Sequence, residues 1–303
     1  MNIWIVSSGE PLPIDEGSPR LRRMGMLSSI LCNRGHEVHW FSSSFHHYKK
    51  KHRCEVDKEI RVKDNFIIHL IKTKGYKNNI SFERLLHQRE LARKFWINAK
   101  NLKKPEVIIA TLDPLQLSKS VIKYAEINKI PTVIDIRDLW PEIYTEVIPR
   151  WGRGIIKPYV WFCKHQLKPV LRKSAAIIGV TPNFLKYGLE IAKLEKREFD
   201  KVFYTSYKPN NFVDQYKNFK KHWSKYGLKS TDFIVVFLGN FGIQFVLEPV
   251  IDAAKKLQHY KDIKFVLCGV GESFNRISHL SRNLESVILP GWIEEEQIFS
   301  LLS

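Results

Sequence analysis

The residues best equipped for chemistry in this 303-residue chain lie in Asp135-Ile-Arg-Asp-Leu-Trp-Pro-Glu142. Three acids, one arginine and a tryptophan follow an apolar run there. Charged groups at the carboxyl end of a strand are costly unless paired or used. Two readings stand: an Asp–Arg pair bracing the turn, or Arg137 or Asp138 set against a substrate. Glycine is the second concentration. The apolar runs Phe233–Leu238, Ile263–Cys268 and Val287–Leu289 run into Gly239-Asn-Phe-Gly242, Gly269-Val-Gly271 and Pro290-Gly-Trp292. Such turns let backbone N–H groups approach a phosphate closely, although each alone could be a plain tight turn. Three in register favour a ligand site. The third concentration is cationic. Across residues 45–77, Lys49, Lys50, Lys51, Arg53 and further cations outnumber the acids Glu55, Asp57, Glu59 and Asp64. This is either a solvated loop or a surface for anionic lipid or a pyrophosphate-linked acceptor.

The elements that position these groups follow one pattern. Short continuous apolar runs alternate with helix-length segments, which predicts parallel sheets with helices on both faces. Ile3–Val6, Glu37–Phe41, Val107–Ala110, Pro131–Ile134 and Ala175–Val180 read as strands of a first unit. Helical spacing joins Leu21 to Leu31, with Gly35 as its C-cap, and recurs over 81–103 and 117–128. Thr181-Pro182 reads as N-cap and first helical residue. Trp151–Lys173 mixes apolar and basic residues in a manner suited to an interfacial helix. Pro158 and Pro169 also fit a locally broken core helix. Residues 206–230 read as a basic, aromatic link, with the boundary near 205. Domains are therefore expected over 1–205 and 206–303. In open sheets of this kind, ligands bind beyond the carboxyl ends of the strands.

Composition narrows the classes. An apolar fraction of 44% excludes a disordered chain. The net charge of +18 calls for an anionic partner: nucleic acid, a membrane surface or a phosphorylated substrate. Cys32, Cys54, Cys163 and Cys268 share no metal-ligand or disulfide-framework spacing, which fits a reducing compartment. No run is long enough to span a bilayer, and the start lacks a signal-peptide pattern. A cytoplasmic protein that touches a membrane without crossing it is expected.

The order of motifs resembles a known family, the retaining glycosyltransferases of family 4 with the GT-B fold. The resemblance covers nearly the whole chain. It rests on Glu16-Gly-Ser-Pro-Arg20, Asn33-Arg-Gly-His-Glu-Val38, Asp135–Glu142, Val180-Thr-Pro182, Lys208-Pro-Asn-Asn-Phe-Val-Asp214, Phe237–Gly242, Cys268–Gly271 and Leu289-Pro-Gly-Trp292. It is similar to bacterial O-antigen and capsule transferases of the N-acetyl-fucosamine type. The fold class implied is α/β with two Rossmann-like domains, the second incomplete at its C-terminus. The first would meet the acceptor and the second the nucleotide sugar.

The resemblance implies sugar transfer with retention from a nucleotide sugar, expected to be UDP-linked, to a lipid-linked or polysaccharide acceptor on the inner face of the cell membrane. By that resemblance Gly17 and Ser18 meet the sugar or donor phosphate, and Arg20 and Arg22 face the diphosphate or an anionic acceptor. Arg137 and Asp138 lie near the reacting centre. Gly239, Asn240, Gly242 and Gln244 border the diphosphate, Gly269 and Gly271 the donor crevice, and Trp292 and Ile293 the base. No metal or other cofactor is expected.

Two departures qualify this. Asn240 and Phe245 stand where the family often carries an arginine and a lysine, with Gln244 between them. The family's donor-binding glutamate pair has no match before Ser303, because Glu294, Glu295 and Glu296 are not that pair. The chain by itself is therefore expected to be inactive. A non-catalytic, membrane-associated remnant or scaffold is one alternative, and a basic nucleic-acid-binding protein is another. An epimerase on the same fold would need cleft carboxylates and histidine that the sequence does not place.

Overall fold

A computed structural model describes residues 1–16, 21–79, 81–142, 145, 148, 152–206, 218–242 and 245–302. The chain divides into two compact units, Met1–Lys208 and Pro209–Ser303.

Unit 1 begins with β1 (Asn2–Val6), α1 (Arg23–Asn33) and β2 (Glu37–Ser43). Two short strands follow, β3 (Phe45–His46) and β4 (Lys51–His52), then β5 (Lys58–Lys63) and β6 (Phe66–Ile71). Next come α2 (Phe82–Ala99), β7 (Val107–Thr111), α3 (Leu115–Asn128) and β8 (Thr132–Ile136). The unit ends with α4 (Arg153–Lys173), β9 (Ala176–Gly179), α5 (Pro182–Ala192) and β10 (Lys201–Val202). The main sheet has the order β10-β9-β8-β7-β1-β2-β6-β5, and only β5 runs antiparallel to its neighbour. Strand order therefore reverses at β1, between β7 and β2. Chain ends diverge at such a switch point and open a crevice at the carboxyl edge.

Alternation along the strands sorts the core. Trp4 and Val6 face one side with Phe41, Ile108, Ile134 and Ile177, and α2 to α5 cover them through Leu91, Phe95, Val121, Leu167 and Leu185. Ile5 faces the other side with Trp40, Ile68 and Met24 of α1. The helices start where local chemistry allows. Ser81 accepts a hydrogen bond from the Arg84 amide and caps α2, while Pro182 occupies the first turn of α5.

Unit 2 contains α6 (Phe219–Trp223), β11 (Phe233–Leu238), α7 (Glu248–Lys256), β12 (Ile263–Cys268), α8 (Phe274–Ser281), β13 (Val287–Gly291) and α9 (Glu295–Leu302). The three strands are parallel in the order β11-β12-β13. Val266 and Cys268 pack on one face with Trp223, Leu228, Ile293 and Leu301. Leu267 packs on the other with Phe241, Leu247, Ile251 and Ile277.

Three expectations are corrected. Residues 45–77 are not a loop: β5 and β6 form a paired edge, and Leu70 and Ile71 are buried. The stretch 218–230 is not a link. Trp223 is fully buried in unit 2 and its indole N–H donates to Ser300 Oγ at 3.0 Å. Pro158 and Pro169 do not break α4, which runs through both.

Candidate functional site

At the switch point of unit 1 the loop after β1 meets the end of β8. Two arginines there hold two buried carboxylates. Arg137 pairs with Glu10, lies 3.7 Å from Asp135 and donates to Ser7 Oγ at 3.2 Å. Arg23, from the first turn of α1, donates to Asp135 Oδ2 at 2.9 Å and to the Phe203 carbonyl at 2.7 Å. Glu10 also accepts from the Met24 amide at 3.0 Å, which ties the loop to α1. The Asp135 side chain is fully buried and that of Glu10 is 4% exposed. Burial pushes the Asp135 carboxyl up to about 6 against the pull of Arg23. Burial likewise brings the Arg137 guanidinium down to about 10, although nearby Asp138 acts to raise it.

The bracing reading of the Asp135–Glu142 stretch thus has its ion pair, with a second and closer partner in Glu10. Arg137 keeps some exposure and Asp138 is exposed at the rim. The remainder of the motif is anchored from below. The Tyr187 hydroxyl of α5 shares its one proton between the Trp140 carbonyl at 2.8 Å and Glu142, and Lys164 of α4 pairs with Glu142. Arg22 donates to Tyr48 and lies over its ring, 4.9 Å from Cζ to centroid. Gly17, Ser18, Arg20 and Gln244 lie outside the described residues.

The glycine turns of unit 2 interlock. Gly239 N–H donates to the Cys268 carbonyl at 3.1 Å, Phe241 to Val270 at 3.0 Å and Gly269 to Gly291 at 2.8 Å. A Cβ on Gly269, whose φ is +141°, would stand 1.7 Å from the Gly239 carbonyl oxygen. A Cβ on Gly271, at φ +154°, would stand 2.7 Å from the Phe241 carbonyl. These two glycines are required because the loops after β11 and β12 touch backbone to backbone. The amides divide accordingly. Those of Gly239 and Gly269 are spent on neighbouring strands. Those of Asn240, Gly242 and Gly271 donate to no backbone carbonyl among the described residues. Trp292, at the end of β13, is 71% exposed, whereas the Ile293 side chain is buried in the core. Of that adjacent pair, only Trp292 presents its side chain at the surface. Among the described residues no group of His, Cys, Asp and Glu could hold a metal ion.

Sequence reasoning missed Glu10, Arg23 and Ser7. Glu10 sat in a loop of turn formers and Arg23 in an ordinary amphipathic helix. Only the parallel register of β1 with β7, and of β7 with β8, brings them to Asp135.

No protein-family model matches this sequence, and no curated protein sequence matches it. Solved structures do match. A structure of Anabaena Alr3699/HepE in complex with UDP aligns at a TM-score of 0.59 and 13% identity, over 98% of this chain and 71% of that one. WaaG, a glycosyltransferase involved in lipopolysaccharide biosynthesis, aligns at 0.59 and 11% identity, over 100% of this chain and 72% of that one. UDP-GlcNAc 2-epimerase from Neisseria meningitidis, bound to UDP-GlcNAc, aligns at 0.51 and 12% identity, over 100% and 75%. The chain has the α/β architecture of the GT-B proteins, a main parallel sheet with a second, small parallel sheet, over about 71% of HepE's length.

Proposed function

We propose that this chain serves a glycosyltransferase that moves a sugar, with retention, from a UDP-linked donor to a lipid-linked or polysaccharide acceptor of cell-surface glycan synthesis. The observation that carries the reading is the carboxyl rim of unit 2. Three parallel strands end there in turns whose glycines let the loops close, leaving the Asn240, Gly242 and Gly271 amides without backbone partners among the described residues and Trp292 exposed. Amides so placed stabilise diphosphate charge as it develops on the leaving group. Trp292 offers a face for the base. On unit 1, Arg137 and Asp138 would serve the reacting centre, with Arg22 toward anionic substrate. Gly17, Ser18, Arg20 and Gln244 complete the proposed set. The fold likeness to a protein seen with UDP supports the base assignment. A thermal-unfolding panel of UDP, GDP, ADP and their sugars tests it. UDP and UDP-sugars are expected to raise the unfolding temperature, GDP and ADP to leave it unchanged. A shift by none of them would end the donor assignment, and tighter binding of generic RNA would favour the nucleic-acid reading.

The same reading needs contact with an anionic membrane, and α4 offers a surface. Its buried face carries Val160, Cys163, Leu167, Val170 and Leu171. Its opposite face exposes Ile155, Trp161 and Phe162, beside Lys157, Lys168 and Arg172, and the helix contains no acid. Aromatic and apolar groups flanked by cations suit the headgroup layer. No helix among the described residues is long and apolar enough to cross a membrane. Replacing Trp161 and Phe162 together by Ser is expected to weaken co-sedimentation with phosphatidylglycerol vesicles by about a hundredfold, at roughly 1.5 kcal/mol or more per lost apolar contact. Equal binding by this variant would remove α4 from the membrane face.

A further inference from the structure

The loops after β2 and β6 build a second charged cluster on unit 1, which Arg22 joins through Tyr48. The turn between β3 and β4 carries His47, Tyr48 and Lys50. Lys50 Nζ lies 4.5 Å from the centroid of Tyr76, and Arg84 Cζ lies 5.8 Å from the same ring. Asn79 holds both cations in place: its Oδ1 accepts from Lys50 at 2.6 Å and its carbonyl from Arg84 at 2.8 Å. His47 Nδ1 shares a hydrogen bond with the Tyr76 hydroxyl. Arg22 lies over the ring of Tyr48, a residue 52% exposed.

The cluster is short of negative charge. Asp113, 3.8 Å from Arg84, is its one carboxylate among the described contacts. His47 is brought down to about 4 by burial, with Lys50, Arg84 and Arg22 all acting in the same direction. Three fixed cations around two tyrosine rings, one of them open to solvent, form a cradle for a compact polyanion attached to an apolar or sugar body.

We infer that Lys50, Arg84 and Arg22, with Tyr48 and Tyr76, bind the diphosphate of a lipid-linked acceptor. The acceptor part of this rests on the transferase reading above. The diphosphate part rests on the cradle alone. Lys50 and Arg84 would hold the phosphate oxygens, and the exposed Tyr48 ring would lie against the adjoining group.

The test titrates the full chain with inorganic pyrophosphate and with geranyl diphosphate, and with UDP on the same samples. Lys50→Gln and Arg84→Gln are each expected to weaken both diphosphates about tenfold, the size of one charge-assisted hydrogen bond. The double variant should lose about a hundredfold, while UDP binding stays as in the parent. Geranyl diphosphate should bind more tightly than pyrophosphate if the ligand is lipid-linked, and Tyr48→Ala should abolish that preference. With a net charge of +18, diffuse attraction is the competing cause. Lys103→Gln with Lys104→Gln, two exposed lysines ahead of β7 with no part in either proposed site, controls for it. Equal losses in that pair overturn the proposal, and so does a parent chain that binds neither diphosphate. Unfolding temperatures check that each variant is folded, and Lys50→Arg is expected to keep most of the affinity. Failure of UDP alone would strike the donor assignment and leave the diphosphate cradle standing.

Discussion

Gly269→Ala is expected to unfold unit 2 while unit 1 stays intact. The added methyl would sit 1.7 Å from the Gly239 carbonyl oxygen and 2.9 Å from its carbon. Neither atom can step aside cheaply. Gly239 is held by its own N–H to Cys268, and Gly269 by its N–H to Gly291. Moving the loop breaks these ladder bonds between β11, β12 and β13, and the φ of +141° adds strain for any residue with a Cβ. Backbone strain, overlap and lost hydrogen bonds together place this substitution in the class above ~4 kcal/mol. Gly291→Ala is the contrast. Its φ is also positive, at +78°, but no atom lies within 4 Å of the new Cβ. It should cost only the conformational strain, about 1 to 2 kcal/mol. Amide hydrogen exchange read separately over 233–291 and over unit 1 distinguishes the outcomes. A Gly269→Ala chain as protected as the parent in unit 2 would show that the loops after β11 and β12 do not touch as described.

The second large effect is expected at Arg137. Arg137→Leu leaves Glu10 without its closest cation in a site where that side chain is 4% exposed. Removing one partner of a buried pair typically costs about 3 to 5 kcal/mol, because the other charge is stranded. Arg23 still serves Asp135, so Glu10 bears most of the loss. Joint replacement, Glu10→Gln with Arg137→Leu, should recover more than half of the stability, since no charge is then unpaired. Urea unfolding of the single and double variants measures both effects. Additive losses would mean that the pair is not coupled.

Much of this architecture was legible because parallel strands bury both faces. Ile3–Val6 and Val107–Ala110 are continuous apolar runs, and each became a strand of the buried sheet; Phe233–Leu238 is an equally apolar run that became an edge strand. β5 was hidden for the opposite reason. Lys58-Glu-Ile-Arg-Val-Lys63 is an edge strand with one wet face, and its charges masked an alternation of two. Trp223 was hidden because a five-residue helix is too short to show a period. The glycine turns showed in the sequence that the strands end together. They could not show that Gly239 gives its amide to Cys268 and Gly269 gives its amide to Gly291, because that depends on register between strands. Glu10 and Arg23 were silent for the same reason. The cradle around Tyr76 needs three loops brought together by the order of β1, β2 and β6.

The rim of unit 2 as a nucleoside-diphosphate site is tested most directly by following backbone amide and indole resonances during a UDP titration. The expected result is saturable shifts of the Asn240, Gly242 and Gly271 amides and of the Trp292 indole, with Gly239 and Gly269 moving less because their N–H groups are already bonded. UDP that leaves all of these resonances in place, or that perturbs only residues elsewhere on the chain, would contradict the site.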